Sequence, residues 1–377
     1  FGSSHFGSSG FGSRSSRLDP ASQTSRRIPG PSILRLLMPL QTALTRLLGI
    51  EHPIIQGGMQ HVGYAEMASA VSNAGGLGIL TGLTQPSPED LRQEIRRCRT
   101  MTDKPFGVNL TILPMLIPAD YDGYARVIAE ERVAMVEVAG GSPKKYIGLW
   151  HEHGVKVLHK SATLRHAEKA VEAGVDLIEI VGYEASIAGG QPGDEIGLWV
   201  ALTKALNVIH AKTGGRLPIV ASGASGTGRQ LAAAIAMGAA GITMATRFLA
   251  TQEAPIHSAI KEKLAEPATD ERCTTIVLSQ LSNATRVFKN KVAGEIRDIE
   301  FAGGPVDFSR VAPLASGKRS KEMWQQSGDW DDAMWSCGQS VGLIEDVPSC
   351  KDLLRRIVAE AEAQLQGGAA CVTSSKL

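Results

Sequence analysis

Residues 154–181 read Gly-Val-Lys-Val-Leu-His-Lys-Ser-Ala-Thr-Leu-Arg-His-Ala-Glu-Lys-Ala-Val-Glu-Ala-Gly-Val-Asp-Leu-Ile-Glu-Ile-Val. The stretch is one complete strand–helix–strand unit. Lys156–His159 and Leu177–Val181 are short, largely apolar runs of strand length. Between them, Leu164–Ala173 carries helical periodicity and stops at Gly174, the residue type that closes helices in a left-handed cap. Two strands joined through a helix must lie parallel, and their helix covers one face of the sheet.

The same alternation extends in both directions. Pro53–Gln56, Leu77–Thr81, Phe106–Leu110 and Met135–Ala139 precede the unit, and Ile219–Ala221 and Gly241–Met244 follow it. All read as strands apolar on both faces. Tyr64–Asn73 places Ala65, Ala68, Val71 and Ser72 on one helical face. Pro88–Arg99 follows Ser87, an N-cap residue type, with Glu89 and Asp90 in its first turn. Arg229–Met237 ends at Gly238. Eight βα units running one way predict an α/β fold, a (β/α)8 TIM barrel over residues 38–255. The rival, an open doubly wound sheet, needs a glycine fingerprint after its first strand. Gln56-Gly57-Gly58-Met59-Gln60 does not supply it. After Glu253 the alternation stops. Residues 257–290 and 350–365 read as amphipathic helices, so residues 256–366 are expected to form a C-terminal helical subdomain or cap. Residues 1–37, rich in Ser, Gly and Arg, read as a disordered tail, and 367–377 as a flexible one.

Composition narrows the function. The 377 residues are 43% hydrophobic with a formal net charge of +1. That near-neutral balance argues against a nucleic-acid-binding body. Five cysteines without a CxxC pair argue against a disulfide framework or a zinc site, and no metal is expected. No run reaches the roughly 18 apolar residues of a membrane span, so no membrane insertion is expected.

In a barrel, chemistry sits on the loops after the strands. Strand seven ends in Ala221-Ser222-Gly223-Ala224-Ser225-Gly226, and strand eight in Ala245-Thr246-Arg247. Small residues there let backbone amides approach a phosphate. Gly223 and Ala224 would give amides, and Thr246 an amide and a hydroxyl. Lys160 ends strand five. A lysine in a barrel mouth needs a negative partner, and a flavin N1–C2=O locus or a phosphate would serve.

Several segments carry a family resemblance: His52-Pro53-Ile54-Ile55-Gln56-Gly57-Gly58-Met59-Gln60, Ala74-Gly75-Gly76-Leu77-Gly78, Pro105–Leu110, Val157–Lys160, Ala221-Ser222-Gly223, Thr246–Thr251, Asn283–Val287, Trp335-Ser336-Cys337-Gly338 and Gly342-Leu343-Ile344. The chain resembles the FMN-dependent nitronate monooxygenase family, also called 2-nitropropane dioxygenases, and within it the NADH:quinone reductases. The resemblance implies non-covalent FMN held by Met59, Asn109, Lys160, Ser222, Gly223, Ala245 and Thr246, with Gly57, Gly190 and Ala224 in the same set. It implies a flavoprotein that oxidises nitronates with O2; the alternatives are an NAD(P)H:quinone reductase and a catalytically impaired flavin-binding protein. The implied partners are a small-molecule substrate, O2 or quinone, and NAD(P)H. One departure stands out. The family has a histidine in the loop after strand six, where this chain reads Gly189-Gly190-Gln191-Pro192-Gly193. Gln191 thus takes the catalytic position, and glutamine cannot accept a proton near neutral pH. His61, His159, His166 and Glu184 are the nearby candidates to replace the base. Ala224 replaces a family glycine, which is tolerable if its φ is negative.

The chain ends in Ser375-Lys376-Leu377, which reads as a peroxisomal address taken up by an import receptor. The Arg- and Ser-rich N-terminal stretch has a transit peptide as its sharper reading, and Met38 as an alternative start. Deleting Ser375-Lys376-Leu377 from an N-terminally tagged chain is expected to move it from peroxisomes to cytosol. Equal distribution of intact and truncated chains would overturn the address, and a mitochondrial pattern lost on removing residues 1–37 would favour the transit peptide.

Overall fold

Eight parallel strands form one sheet in the order β1-β8-β7-β6-β5-β4-β3-β2. They are β1 (Ile54–Gln56), β2 (Gly78–Thr81), β3 (Phe106–Ile112), β4 (Met135–Gly140), β5 (Lys156–Ser161), β6 (Leu177–Val181), β7 (Ile219–Ser222) and β8 (Gly241–Met244). A parallel bridge between Ile55 and Leu77 joins β1 to the approach of β2 and closes the ring. This is the (β/α)8 barrel expected from the alternation. The computed structural model describes residues 40–113, 119–186 and 195–373, all within one compact unit, Pro39–Leu377. The N-terminal tail, Gly190, Gln191 and the Ser375-Lys376-Leu377 tripeptide lie outside the described residues.

A short helix α1 (Ala43–Leu48) precedes the barrel, and the connections after β1 to β8 carry α2 (Ala65–Asn73), α3 (Pro88–Met101), α4 (Tyr121–Glu130), α5 (Ile147–Glu152), α6 (Leu164–Ala173), α7 (Leu198–Thr213), α8 (Gly228–Met237) and α9 (Thr246–Leu249). The local signals act as read. Ser87 caps α3 by accepting from the Asp90 N–H, and Gly174 and Gly238 end α6 and α8 at φ +89° and +103°. Ala65, Ala68, Val71 and Ser72 are all buried on α2.

Beyond the barrel, the structure departs from an all-helical reading of residues 257–290. Only α10 (Ser258–Leu264) is helical there. Strands β9 (Thr274–Val277) and β10 (Thr285–Phe288) pair antiparallel. The cause is local: Thr274-Thr275-Ile276-Val277 is a β-branched run, stiff at χ1 and suited to a strand. Pairing buries Val277 and Val287 in a satellite core with Val292 and Ile296 of α11 (Lys291–Glu300). Two short helices, α12 (Phe308–Val311) and α13 (Gly317–Glu322), follow. The last helix, α14 (Cys350–Thr373), continues past Gly367 and Gly368, where the sequence suggested a tail. Its apolar stripe lies so close to α8 that a Cβ on Gly228 would sit 2.3 Å from the Ile357 carbonyl oxygen.

Arg247, 4% exposed, ties this region to the barrel. It donates to Asp346 Oδ1 at 2.6 Å and to the carbonyls of Asp346 and Ala250, and Asp346 Oδ2 also accepts from Arg356. Burial pushes Arg247 toward its neutral form, and Asp346 opposes that push. Loss of Asp346 and loss of Arg356 should therefore cost different amounts. Asp346→Ala leaves a buried guanidinium without its carboxylate and is expected to cost about 2–3 kcal/mol. Arg356→Ala removes a half-exposed partner and should cost less than about 1 kcal/mol. Chemical denaturation of both variants checks this; equal losses would mean that Arg247 does not depend on Asp346.

Candidate active site

The alternation that fills the barrel also builds the site. Successive strand residues point to opposite faces, so residues two apart share one. Met135, Leu158, Leu177 and Val220 form an apolar plug with Ile55 and Ile79. Two residues further along β4, β5, β6 and β7 come Glu137, Lys160, Glu179 and Ser222. They form a polar layer above the plug, nearer the C-terminal mouth. Asn109 of β3 and Thr243 of β8 join it through hydrogen bonds to Glu137 and Glu179.

Both carboxylates are fully buried, and Lys160 bridges them. Its Nζ lies 2.8 Å from Glu137 Oε1 and 3.3 Å from Glu179 Oε1. Glu137 Oε2 accepts from the Gly58 N–H at 3.0 Å and from Asn109 Nδ2 at 2.9 Å. Glu179 Oε2 accepts from the Thr243 hydroxyl at 3.0 Å. Burial alone would lower the proton affinity of Lys160, but the two carboxylates outweigh it and hold the ammonium above its ordinary value. Burial pushes the Glu179 carboxyl up; Lys160 pulls it back, and the charge of Glu137 adds to the rise. The negative partner required by Lys160 is thus supplied by the protein's own β4 and β6, where the sequence reading looked to a bound ligand.

Above this layer opens a cavity of about 490 Å³, within the usual range of small-molecule sites. Gly58, Lys160 and Thr243 contribute to it from below, Ser222–Ser225, Ala245 and Thr246 from one side, and Thr163, Arg165 and His166 from the start of α6. Ser282, Asn283 and Ala284, in the turn between β9 and β10, also line it. Arg286 holds that hairpin down by donating to the Tyr183 carbonyl at 3.0 Å, with its guanidinium over the Tyr183 ring.

Of the expected cofactor contacts, Lys160, Ser222, Gly223, Ala224, Ala245 and Thr246 converge on this one cavity. Asn109 sits in the polar layer bound to Glu137. Gly57 lies against the same layer: a Cβ there would approach Thr243 Cγ2 at 3.0 Å and Lys160 Nζ at 3.5 Å. Met59 is buried outside the cavity lining, with its N–H donating to Thr81 Oγ1.

The loop after β7 is shaped by a residue the sequence reading missed. Gln230 Oε1 accepts from the N–H groups of Gly226 and Thr227, and its Nε2 donates to the Ala224 carbonyl at 2.7 Å. Gly223 has φ +110° and Ala224 φ +55°. Alanine therefore occupies a left-handed position, and the negative φ that would have made it unstrained is not what the loop adopts. The amides of Gly223, Ala224 and Ser225 find no acceptor among the described residues. Thr246 Oγ1 accepts from the Gly338 N–H, leaving its own proton to donate. This set fits a phosphate group.

The substitute bases fare differently. His159 faces away from the cavity, buried between the Ser161 hydroxyl and the Gly141 carbonyl, and burial lowers its pKa. His61 lies outside the lining, and burial lowers it as well. Glu184 is turned to α7, where both its oxygens accept from the Leu198 N–H at 3.1 Å. Only His166 reaches the cavity, at its exposed rim.

A family model described as nitronate monooxygenase matches residues 41–117 and 113–360. The chain belongs to the nitronate monooxygenase family. It is similar to the (3aS,4S,5R,7aS)-5-hydroxy-7a-methyl-1-oxo-octahydro-1H-indene-4-carboxyl-CoA dehydrogenase of Mycobacterium tuberculosis, 31% identical over 89% of this chain and all of that one. A nitronate monooxygenase of Pseudomonas aeruginosa is 30% identical over 84% of this chain and 98% of its own length. Among solved structures, FabK from Thermotoga maritima superposes with a TM-score of 0.78 at 33% identity, covering 88% of this chain and 99% of that one. This nitronate monooxygenase family member is a flavin-dependent oxidoreductase that acts on a small molecule.

Ala224→Gly should relieve the left-handed strain at the phosphate-fitting loop and stabilise the protein by about 1 kcal/mol. Thermal unfolding measures this. A fall in stability would show that Ala224 does not adopt positive φ.

Proposed function

We propose that the protein is an FMN-dependent oxidoreductase that exchanges a hydride with a coenzyme A thioester. The reading rests on which titratable groups line the cavity. Among the described residues these are Lys160, Arg165 and His166. Lys160 is bound to two carboxylates, arginine keeps its proton, and His166 stands at the rim. With Gln191 in the place of the family's histidine, no base faces the interior of the pocket from the described residues. Removing a proton from a neutral nitroalkane needs such a base. Reducing an α,β-unsaturated thioester needs no such base: a reduced flavin would give the hydride to the β carbon, and water at the open rim would give the proton to the α carbon.

The choice of FMN is supported by the phosphate-fitting amides after β7 and the absence of a second nucleotide fingerprint in the sequence. The thioester is suggested by the carboxyl-CoA dehydrogenase relative, which aligns along its whole length. Arg165 and His166 at the rim suit the phosphates of such a substrate. Nitronate oxidation with O2 is the second reading. A nitronate is already an anion and needs no base, and the Pseudomonas aeruginosa relative bears that name.

The purified protein should be yellow and release FMN, not FAD, on denaturation. Mixed anaerobically with saturated or unsaturated acyl-CoA, NADH, NADPH or an alkyl nitronate, its flavin absorbance should respond to the thioester. Prior reduction by a nicotinamide cofactor covers the case of a reductase. Bleaching by the nitronate alone would favour the second reading. A colourless protein that ignores added FMN would overturn both.

A further inference from the structure

The polar layer holds more negative charge than its lysine can balance. Glu137 and Glu179 face one ammonium; both carboxylates are buried in the barrel interior, and the ammonium above them forms part of the cavity floor. A net charge in such a place is costly, and two carboxylates sharing a site do not both ionise readily. The hydrogen-bond partners determine which oxygen can keep a proton. Glu137 Oε2 receives the Gly58 N–H and the Asn109 amide, and neither donor can turn round to accept. The Asn109 orientation is set by the Glu137 backbone carbonyl, which can only accept and lies 3.5 Å from the same Nδ2. Glu137 also makes the closer contact to Lys160, 2.8 Å against 3.3 Å for Glu179. Glu179 faces the hydroxyls of Thr243 and Ser222. A hydroxyl accepts as readily as it donates.

We infer that Glu179 holds a proton at neutral pH while Glu137 and Lys160 stay ionised, so that the layer under the cavity is neutral and carries a buried proton. Burial and the neighbouring Glu137 both favour the neutral form of Glu179. Lys160 opposes it, but its charge is claimed first by Glu137. The two acids therefore have separate roles. Glu137 positions Lys160 and cancels its charge. Glu179 is a positioning residue whose proton can redistribute when the charge above the layer changes.

Infrared spectroscopy in H2O and D2O locates the proton whether or not flavin is bound. The wild type should show the carbonyl stretch of a buried protonated carboxylic acid. Glu179→Gln should remove it, and so should Glu137→Gln, which leaves Glu179 as the counter-ion of Lys160. Thr243→Val and Ser222→Ala, which take away the hydroxyl partners of Glu179, should each shift it. No such band in the wild type, a band kept in Glu179→Gln, or one unmoved in both hydroxyl variants overturns the assignment. If Glu179→Gln does not fold, the two hydroxyl variants carry the test. A second arm rests on the flavin reading proposed above. Either Glu→Gln variant keeps the layer neutral and should barely move the flavin midpoint potential at pH 7, whereas two ionised acids in the wild type would make either variant remove a negative charge and raise it. Equal upward shifts in both overturn the inference. A wild type that binds no flavin sinks the cofactor reading and leaves the infrared result to stand on its own.

Discussion

A lysine held between two buried carboxylates is the constraint on which the barrel and its site both depend. Each charge alone would be expensive in the interior, by several kcal/mol even after relaxation. Lys160, Glu137 and Glu179 escape that cost only when β4, β5 and β6 pair in one register. A slip of one residue would turn all three outward and bring polar or oppositely facing neighbours into the plug. The charged layer therefore selects the register, and the apolar plug beneath it supplies the burial. The same contacts fix Asn109 and the Gly58 amide through Glu137, so the strand-one and strand-three contributions to the cavity are set by the strand-four acid.

The side of the cavity formed after β7 has a second origin. Gln230, in the first turn of α8, bonds three backbone groups of the loop that precedes it. The start of α8 is in turn capped by Glu360 of α14, which accepts from the Gly228 N–H at 2.8 Å. The C-terminal helix thus acts on the phosphate-fitting loop through α8 without entering the cavity. Arg247 adds a parallel tie after β8. Residues far apart in sequence hold a short loop whose amides stay unengaged, and this is how a left-handed alanine is tolerated there.

Much of this was legible beforehand. All eight strands and the covering helices α2, α3, α6 and α8 follow from periodicity, and the glycine stops fall where expected. Lys160 stood out because a lysine at a strand end demands a counter-charge. Its partners were missed because the runs Met135–Ala139 and Leu177–Val181 were read as uniformly apolar. Each contains one glutamate flanked by β-branched residues, and counting by twos from Lys160 across the neighbouring strands would have aligned them. Gln230 was not readable, since a glutamine in a helical first turn looks like surface. The β9–β10 hairpin was hidden by its length. Two four-residue strands carry too little alternation to outweigh a helical window, although Thr274–Val277 is β-branched throughout.

The division between floor and roof also bears on how chemistry changes within a family of this kind. The floor is built from strand residues whose partners are other strand residues, so its groups cannot be exchanged singly without stranding a charge. The cavity's upper parts come from the loop after β6, the α6 rim and the β9–β10 turn, where side chains answer to fewer neighbours. Lys160 belongs to the floor, and Gln191 follows β6 in the sequence, outside the described residues. On the proposed function, a glutamine in place of a histidine in that loop would alter what can be done to a substrate proton and would leave the charged groups of the floor untouched. Flavin redox chemistry would then be retained while the substrate changed, which is consistent with relatives of similar identity bearing the names of a nitronate monooxygenase and a carboxyl-CoA dehydrogenase.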